Sequence, residues 1–247
     1  MGNLEYSFDN ILKSYIDIGK QLTEHQVNLI SSNKGMLKTY LRKRVIAVKK
    51  TKGLYSDKEL ELLKKYDKKS YDDYMNYIST LKELDLTFNQ LTSLPEGINN
   101  LTNLEKLDSY FNKLTSLEGI ENLTNLKEFS SSHNNLTSLP DWIGNLKNLV
   151  RLYLDKNKLT TLPERLGNLT KLGWLFLENN ELTTLPESIG NLTNLKVLYL
   201  NNNELISLPN SIGKLINLND LWLQDNPISD EEKERIKKLL PNTKIYF

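Results

Sequence analysis

The chain has 247 residues, with 32 Lys and Arg against 31 Asp and Glu, two histidines, no cysteine and 38% hydrophobic residues. That is enough material to bury a sizeable core, but it excludes a disulfide framework and leaves only His25 and His133 for zinc-type ligation. No run of about 18 apolar residues is present to span a bilayer, and MGNLEYSFDNILKSY at the start is acidic and polar where a signal peptide needs a basic flank and an apolar stretch. Tyr6 stands where a myristoylation pattern needs Ser or Thr.

The near-neutral total conceals a split: residues 1–80 carry 15 basic and 10 acidic side chains, residues 81–247 carry 17 and 21. The first stretch reads as a small helical segment. Phe8, Ile11, Leu12 and Tyr15 are spaced for one helix face. Thr23 with Gln26 forms a capping box, with Leu22 and Val27 as its hydrophobic staple. Leu37, Tyr40, Leu41, Val45 and Val48 suit a third helix; Ser56 with Glu59 opens a fourth and Ser70 with Asp73 a fifth. The run from Lys34 to Lys52 holds eight basic residues and no acid. It could touch phosphates or an anionic membrane, although the solvated outer face of a helix explains it better. Nothing else supports sequence-specific nucleic-acid binding.

From Leu81 the chain repeats itself as LxxLxLxxNxL, first at Leu81, Leu84, Leu86, Asn89 and Leu91. The repeated asparagines are Asn89, Asn112, Asn134, Asn157, Asn180, Asn203 and Asn226, spaced by 23, 22, 23, 23, 23 and 23 residues. Leucines at positions 1, 4 and 6 of the unit must point inward together from a short strand. Strands of successive units then pair in parallel, and Leu185, Ile189 and Leu192 close one such coil from its far side. The asparagine amide sits at the turn, able to satisfy backbone groups that lose ladder partners. One coil cannot stand alone, because ordering each residue costs about 1.5 kcal/mol; stacking supplies the difference, and both ends need caps.

These residues resemble the leucine-rich repeat family over about two-thirds of the chain. LTxLPxxIGNLxxL, as from Leu182 to Leu195, is similar to its typical 23-residue class of intracellular and bacterial proteins, and LTSLEGIENLTNL (Leu114 to Leu126) to the 22-residue class of internalin-type proteins. The resemblance implies an α/β fold: a right-handed, curved horseshoe solenoid with a parallel β-sheet on its concave side. The expected organisation is an N-terminal helical cap over residues 1–80, seven repeats over 81–228 and a C-terminal helix–strand cap over 229–247. In the last, Ser229 and Glu232 form a capping box, Ile236, Leu239 and Leu240 make an apolar face, and KIYF adds a strand with Ile245 and Phe247 inward.

Positions 2, 3, 5, 7 and 8 of each unit face the concave sheet and need not be apolar. Position 5 reads Asp85, Asp108, Ser130, Tyr153, Phe176, Tyr199 and Trp222, with Trp174 beside it at position 3. Phe88, Phe111 and His133 at position 8 and Tyr110 at position 7 form a second cluster. Same-face aromatics stabilise a sheet by about 0.2–1 kcal/mol per pair, which is the plain explanation. Rigid aromatics also anchor interfaces, and the convex side uses Thr, Glu and Asn at comparable exposure. The expected partner site is therefore Tyr153, Trp174, Phe176, Tyr199, Trp222, Phe88, Tyr110, Phe111 and Arg151, rimmed by Lys156, Glu178, Asp220 and Asp225. Ser109 and Ser131 replace Leu at position 6, with Phe129 at position 4, so the second and third repeats are expected to be the softest.

Signals of catalysis are missing. Gly19-Lys20 and Gly213-Lys214 lack the upstream glycine of a Walker loop; there is no Gly-x-Ser-x-Gly elbow, and the histidines lie in different segments. Asp85 with Asp108 places two carboxylates on neighbouring strands, but an open sheet offers no dry pocket for acid–base work. The five Asn-Leu-Thr triplets recur chiefly because the repeat does. The expectation is a monomeric, non-catalytic protein- or peptide-binding module without cofactor or metal, with the cytoplasm favoured over secretion. Two alternatives stand beside it: residues 1–80 hold a small effector or enzymatic activity that the repeats target, or the protein is a secreted or surface factor acting on a host.

Overall fold

The computed structural model describes residues 60–61, 64–65 and 68–247. The described residues up to Leu81 form one compact unit with Pro95–Leu101; Lys82–Leu94 and Thr102–Phe247 form the other. The helices expected around Phe8, Thr23, Leu37 and Ser56 and the basic run from Lys34 to Lys52 lie outside the described residues.

In the first unit, helix α1 spans Lys68–Ser79. Tyr74 and Ile78, four residues apart on one face, are each 1% exposed, and Lys68 reaches Asp72 across one turn at 3.3 Å. The helix starts at Lys68, so Ser70 lies inside it rather than at its start. The last turn tightens: the Thr80 and Leu81 N–H groups donate to Tyr77 and Ile78 carbonyls three residues back, at 3.1 Å each.

The second unit is a solenoid. Its eight parallel strands, β1 (Glu83–Asp85), β2 (Lys106–Asp108), β3 (Glu128–Ser130), β4 (Arg151–Tyr153), β5 (Trp174–Phe176), β6 (Val197–Tyr199), β7 (Asp220–Trp222) and β8 (Lys244–Tyr246), lie side by side in chain order. Register follows the repeat: Leu84, Leu107, Phe129, Leu152, Leu175, Leu198, Leu221 and Ile245 face one another in succession. The first seven are buried, and their strand neighbours therefore point to the opposite face. The 22-residue unit keeps this register because its missing residue falls in the return segment, where Gly119 takes a left-handed φ of 97°.

Four return segments form short 3-10 helices, Asp141–Asn145, Glu164–Asn168, Glu187–Asn191 and Asn210–Lys214, each following a proline whose fixed φ suits the entry. They stack closely. A β-carbon at Gly144, Gly167 or Gly190 would overlap the backbone carbonyl of Arg165, Ser188 or Ser211 in the next coil, which is why glycine recurs there.

The asparagines tie the coils together. Asn180 donates through Nδ2 to the Leu177 and Leu154 carbonyls, each at 3.0 Å, and its Oδ1 accepts the Leu159 N–H at 3.0 Å. Asn157 and Asn203 repeat the pattern. Asn89, in the first repeat, is exposed, and among the described residues its Nδ2 donates only to Thr87 O at 3.0 Å. Ser109 and Ser131 are fully buried with their hydroxyls partnered: Ser109 Oγ donates to Ser130 O at 2.9 Å, and Ser131 Oγ accepts from Asn134 Nδ2 at 3.4 Å. Phe129, beside them, is also fully buried.

At the C-terminus, α2 spans Asp230–Leu239, with acids in its first turn and Lys237 and Lys238 in its last, matching the helix dipole. The Ser229 side chain accepts the Glu232 N–H at 3.2 Å, but the reciprocal half of the capping box does not form. Glu232 is drawn away to the Leu208 N–H, at 3.0 Å, and to Arg235. Ile236 is fully buried, and Ile245 and Phe247 are half-buried.

Candidate functional site

Position 5 of the repeat forms one continuous stack. Tyr153 and Phe176 have ring centroids 4.6 Å apart at 10°, Phe176 and Tyr199 5.1 Å at 20°, Tyr199 and Trp222 5.1 Å at 8°. Tyr246 on β8 continues it, 3.9 Å from Trp222. The sequence reading missed Tyr246; the signal was the register of the tail, which sets Tyr246 opposite Trp222. The rings are half-buried, because each interior ring gives both faces to neighbours. What the stack offers solvent is ring edges and the tyrosine ends. Burial raises the phenols of Tyr153 and Tyr199 above their ordinary range, with Glu128 and Glu178 respectively adding to it.

Beside the stack, Trp174 lies between two cations, Arg151 at 4.6 Å and Lys196 at 5.6 Å from its ring. Arg151 is also held by Glu128, 3.6 Å away, which takes Lys106 at 3.1 Å as well. Arg151 is thus committed within the sheet face, whereas Lys156 and Asp225 are exposed. Glu178 is half-buried, and burial pushes its carboxyl up, with Asp155 contributing and its own backbone N–H and Lys156 opposing. Its Oε2 is one of three buried oxygens in the same row, with Asn201 Oδ1 and Gln224 Oε1, that have no partner among the described residues; earlier in that row Ser132 Oγ bonds Asp155 Oδ1.

The second cluster is more open. Phe88 packs on Phe111 at 5.0 Å and Tyr110 at 5.5 Å, and Tyr110 meets His133 at 4.8 Å. Phe88 is 66% and Phe111 51% exposed, more than any ring of the stack. Burial, then the Lys156 charge, holds His133 below its ordinary range, with Asp155 opposing. Phe88, Phe111, His133, Lys156, Asn179, Asn202 and Asp225 all have φ between 53° and 57°. That left-handed turn is where each chain leaves its strand, and it swings position 8 outward. Four of the seven (His133, Asn179, Asn202 and Asp225) are of the types that tolerate this region, whereas Phe88, Phe111 and Lys156 have no such preference.

Among the described residues no group of three or more His, Asp or Glu could hold a metal ion, and no helix is long and apolar enough to cross a membrane.

In-register parallel strands, one per coil, with an asparagine ladder at the turn, define a leucine-rich repeat solenoid. Comparison with known proteins agrees: residues 141–241 match the family described as a leucine-rich repeat region, and residues 80–101 and 125–146 match the leucine-rich repeat itself. The solved structure of a leucine-rich repeat protein of Leptospira interrogans is similar, with 41% identity and a TM-score of 0.61 over 68% of this chain and 49% of that one. The chain thus spans about half the length of that relative. No curated protein matches the chain. The chain belongs to the leucine-rich repeat family, whose domains generally mediate protein–protein interaction and are typically non-enzymatic.

Proposed function

We propose that this chain is a non-catalytic, monomeric interaction module that binds a protein or peptide on the concave face of its sheet, along the stack from Tyr153 to Tyr246, with the Phe88, Tyr110 and Phe111 cluster as a second contact. In this reading residues 1–80 and 229–247 cap the seven repeats of 81–228. The repeats belong to the typical 23-residue class with one internalin-like copy. The observation that carries the proposal is the uninterrupted stack of five rings. Rings locked by their neighbours lose little freedom on binding, which removes part of the ordering cost of about 0.5–1.5 kcal/mol per side chain that association otherwise carries. The exposed Phe88 and Phe111 add apolar area of the kind that contact covers.

The test is a capture experiment with the full chain as bait against a Tyr153→Ala/Phe176→Ala/Trp222→Ala variant of verified fold. Partners held by wild type and lost by the variant are expected; equal recovery of every partner would remove the concave-face assignment.

A further inference from the structure

Across β3, β4 and β5 one outward row reads Glu128, Arg151, Trp174. Its middle member joins the other two: the Arg151 guanidinium lies 4.6 Å over the Trp174 ring and its Nη1 is 3.6 Å from the Glu128 carboxylate. The adjacent row, two residues further along the strands and one strand earlier, reads Asp108, Ser130, Tyr153. Carboxylate and ring recur in the same order and spacing, but the middle place holds a serine too short to reach between them.

Two strand spacings separate Asp108 from Tyr153, about 9.6 Å, and a flat group touching both sides needs about 7–8 Å. Tyr153 gives one face to Phe176; among the described residues no ring or cation packs on the other, towards Ser130. Asp108 accepts the Tyr110 N–H through Oδ1 at 3.0 Å and makes no ion pair among the described residues. Both nearby cations, Lys106 and Arg151, are engaged by Glu128.

We propose that the space above Ser130, between the free face of Tyr153 and Asp108, is a subsite for an arginine side chain of the bound protein or peptide, an assignment that rests on the concave-face reading above. A guanidinium is flat and cationic, so it packs over the ring while its charge pairs with the carboxylate. An ammonium satisfies the charge but not the stacking, and a neutral ring leaves Asp108 covered and unpaired. Arg151 combines the same two kinds of contact one row away, over the Trp174 ring and 3.6 Å from the Glu128 carboxylate.

The test uses the full chain with tyrosine rings isotopically labelled, titrated with acetyl-Gly-Arg-Gly-amide and its lysine and citrulline counterparts. Citrulline keeps the flat shape and loses the charge. The arginine peptide is expected to shift the Tyr153 ring signals saturably, with affinity at least about fivefold above either counterpart. Asp108→Asn, which keeps an acceptor for the Tyr110 N–H, should reduce arginine binding to the citrulline level. Ser130→Arg should fill the space from within and abolish it. Citrulline binding as well as arginine, no effect of Asp108→Asn, or no saturable shift at Tyr153 would each overturn the subsite. If Tyr153 stays silent while the ring-triple variant still loses its captured partners, the subsite falls and the concave-face reading stands. If the variant keeps every partner, that wider reading fails by itself.

Discussion

On β4 to β8 the outward row at position 5 is Tyr153, Phe176, Tyr199, Trp222 and Tyr246, packed ring on ring; on β1 to β3 the same row is Asp85, Asp108 and Ser130. Behind both halves the buried row is nearly the same, and the asparagine ladder runs through both. The register is therefore set by the inward leucines and the amide ladder, and the outward row is left free to vary from coil to coil. In the proposed function, stability and recognition occupy opposite faces of the same three-residue strands. The halves also differ in their acids: Glu105 is half-buried between Lys127 and Lys82, which lower its carboxyl, whereas burial raises that of Glu178.

The largest expected effect contrasts an inner rung of the ladder with its first. Asn180→Ala leaves the buried Leu159 N–H unpaired and takes one of two amide donors from each of the Leu154 and Leu177 carbonyls, and should cost about 2–4 kcal/mol, whereas Asn89→Ala should cost about 0.5, read by urea denaturation. Equal losses would mean that the amides do not couple the coils. Next, Gly190→Ala should destabilise by about 2 kcal/mol through forced displacement of the neighbouring coil. Gly213→Ala should cost less, since its nearest neighbour is Leu239 O at 3.3 Å. Trp222→Ala, which removes two stacking contacts, should lower stability by about 1–2 kcal/mol, and Asp108→Ala in the other half by much less; a reversed order in thermal melts would show that the stack serves binding alone. Lys156→Gly should raise stability by up to about 1 kcal/mol by relieving the left-handed backbone.

The smallest effect is in pH. A carboxyl raised in the folded state, like Glu178, binds its proton more tightly folded than unfolded, so stability drops as pH rises from its unfolded value, about 4.3, through its folded one. Glu178→Gln should therefore raise the melting temperature at pH 7 and leave it unchanged below pH 4. Glu105, lowered, works in the opposite sense: its contribution is present above the unfolded value and lost as pH falls through the folded one. Glu105→Gln should lower the melting temperature at pH 7, if only slightly at a surface pair. Identical pH profiles for the two variants would remove this distinction between the halves.

The repeat, the strand order and the rungs at Asn112 to Asn226 were legible because each rests on a residue type recurring at fixed spacing. The stack from Tyr153 to Trp222 followed from the same phase. Tyr246 escaped because α2 interrupts the period before β8 resumes it. The left-handed turn at position 8 escaped because Phe88 and Lys156 have no preference for it; the coil imposes it on whatever residue stands there. Glu232 misled for a related reason: a local capping pattern lost to Leu208 N–H and Arg235, partners that only the folded coil supplies. At Ser70 a cap pattern was read where residues ahead of it are already helical.

From Asn157 onward each ladder asparagine reaches back 26 residues with one hand and is met from 21 residues back by the other, as Asn180 is by Leu154 O and Leu159 N. Such a joint is indifferent to how many others exist. Excising or duplicating one 23-residue module in the C-terminal half would hand the same bonds to a new neighbour and shorten or lengthen the ring column by one step of about 4.8 Å. The length of the ring column is thus adjustable by unequal crossing-over of its gene, without a single new interaction having to be invented.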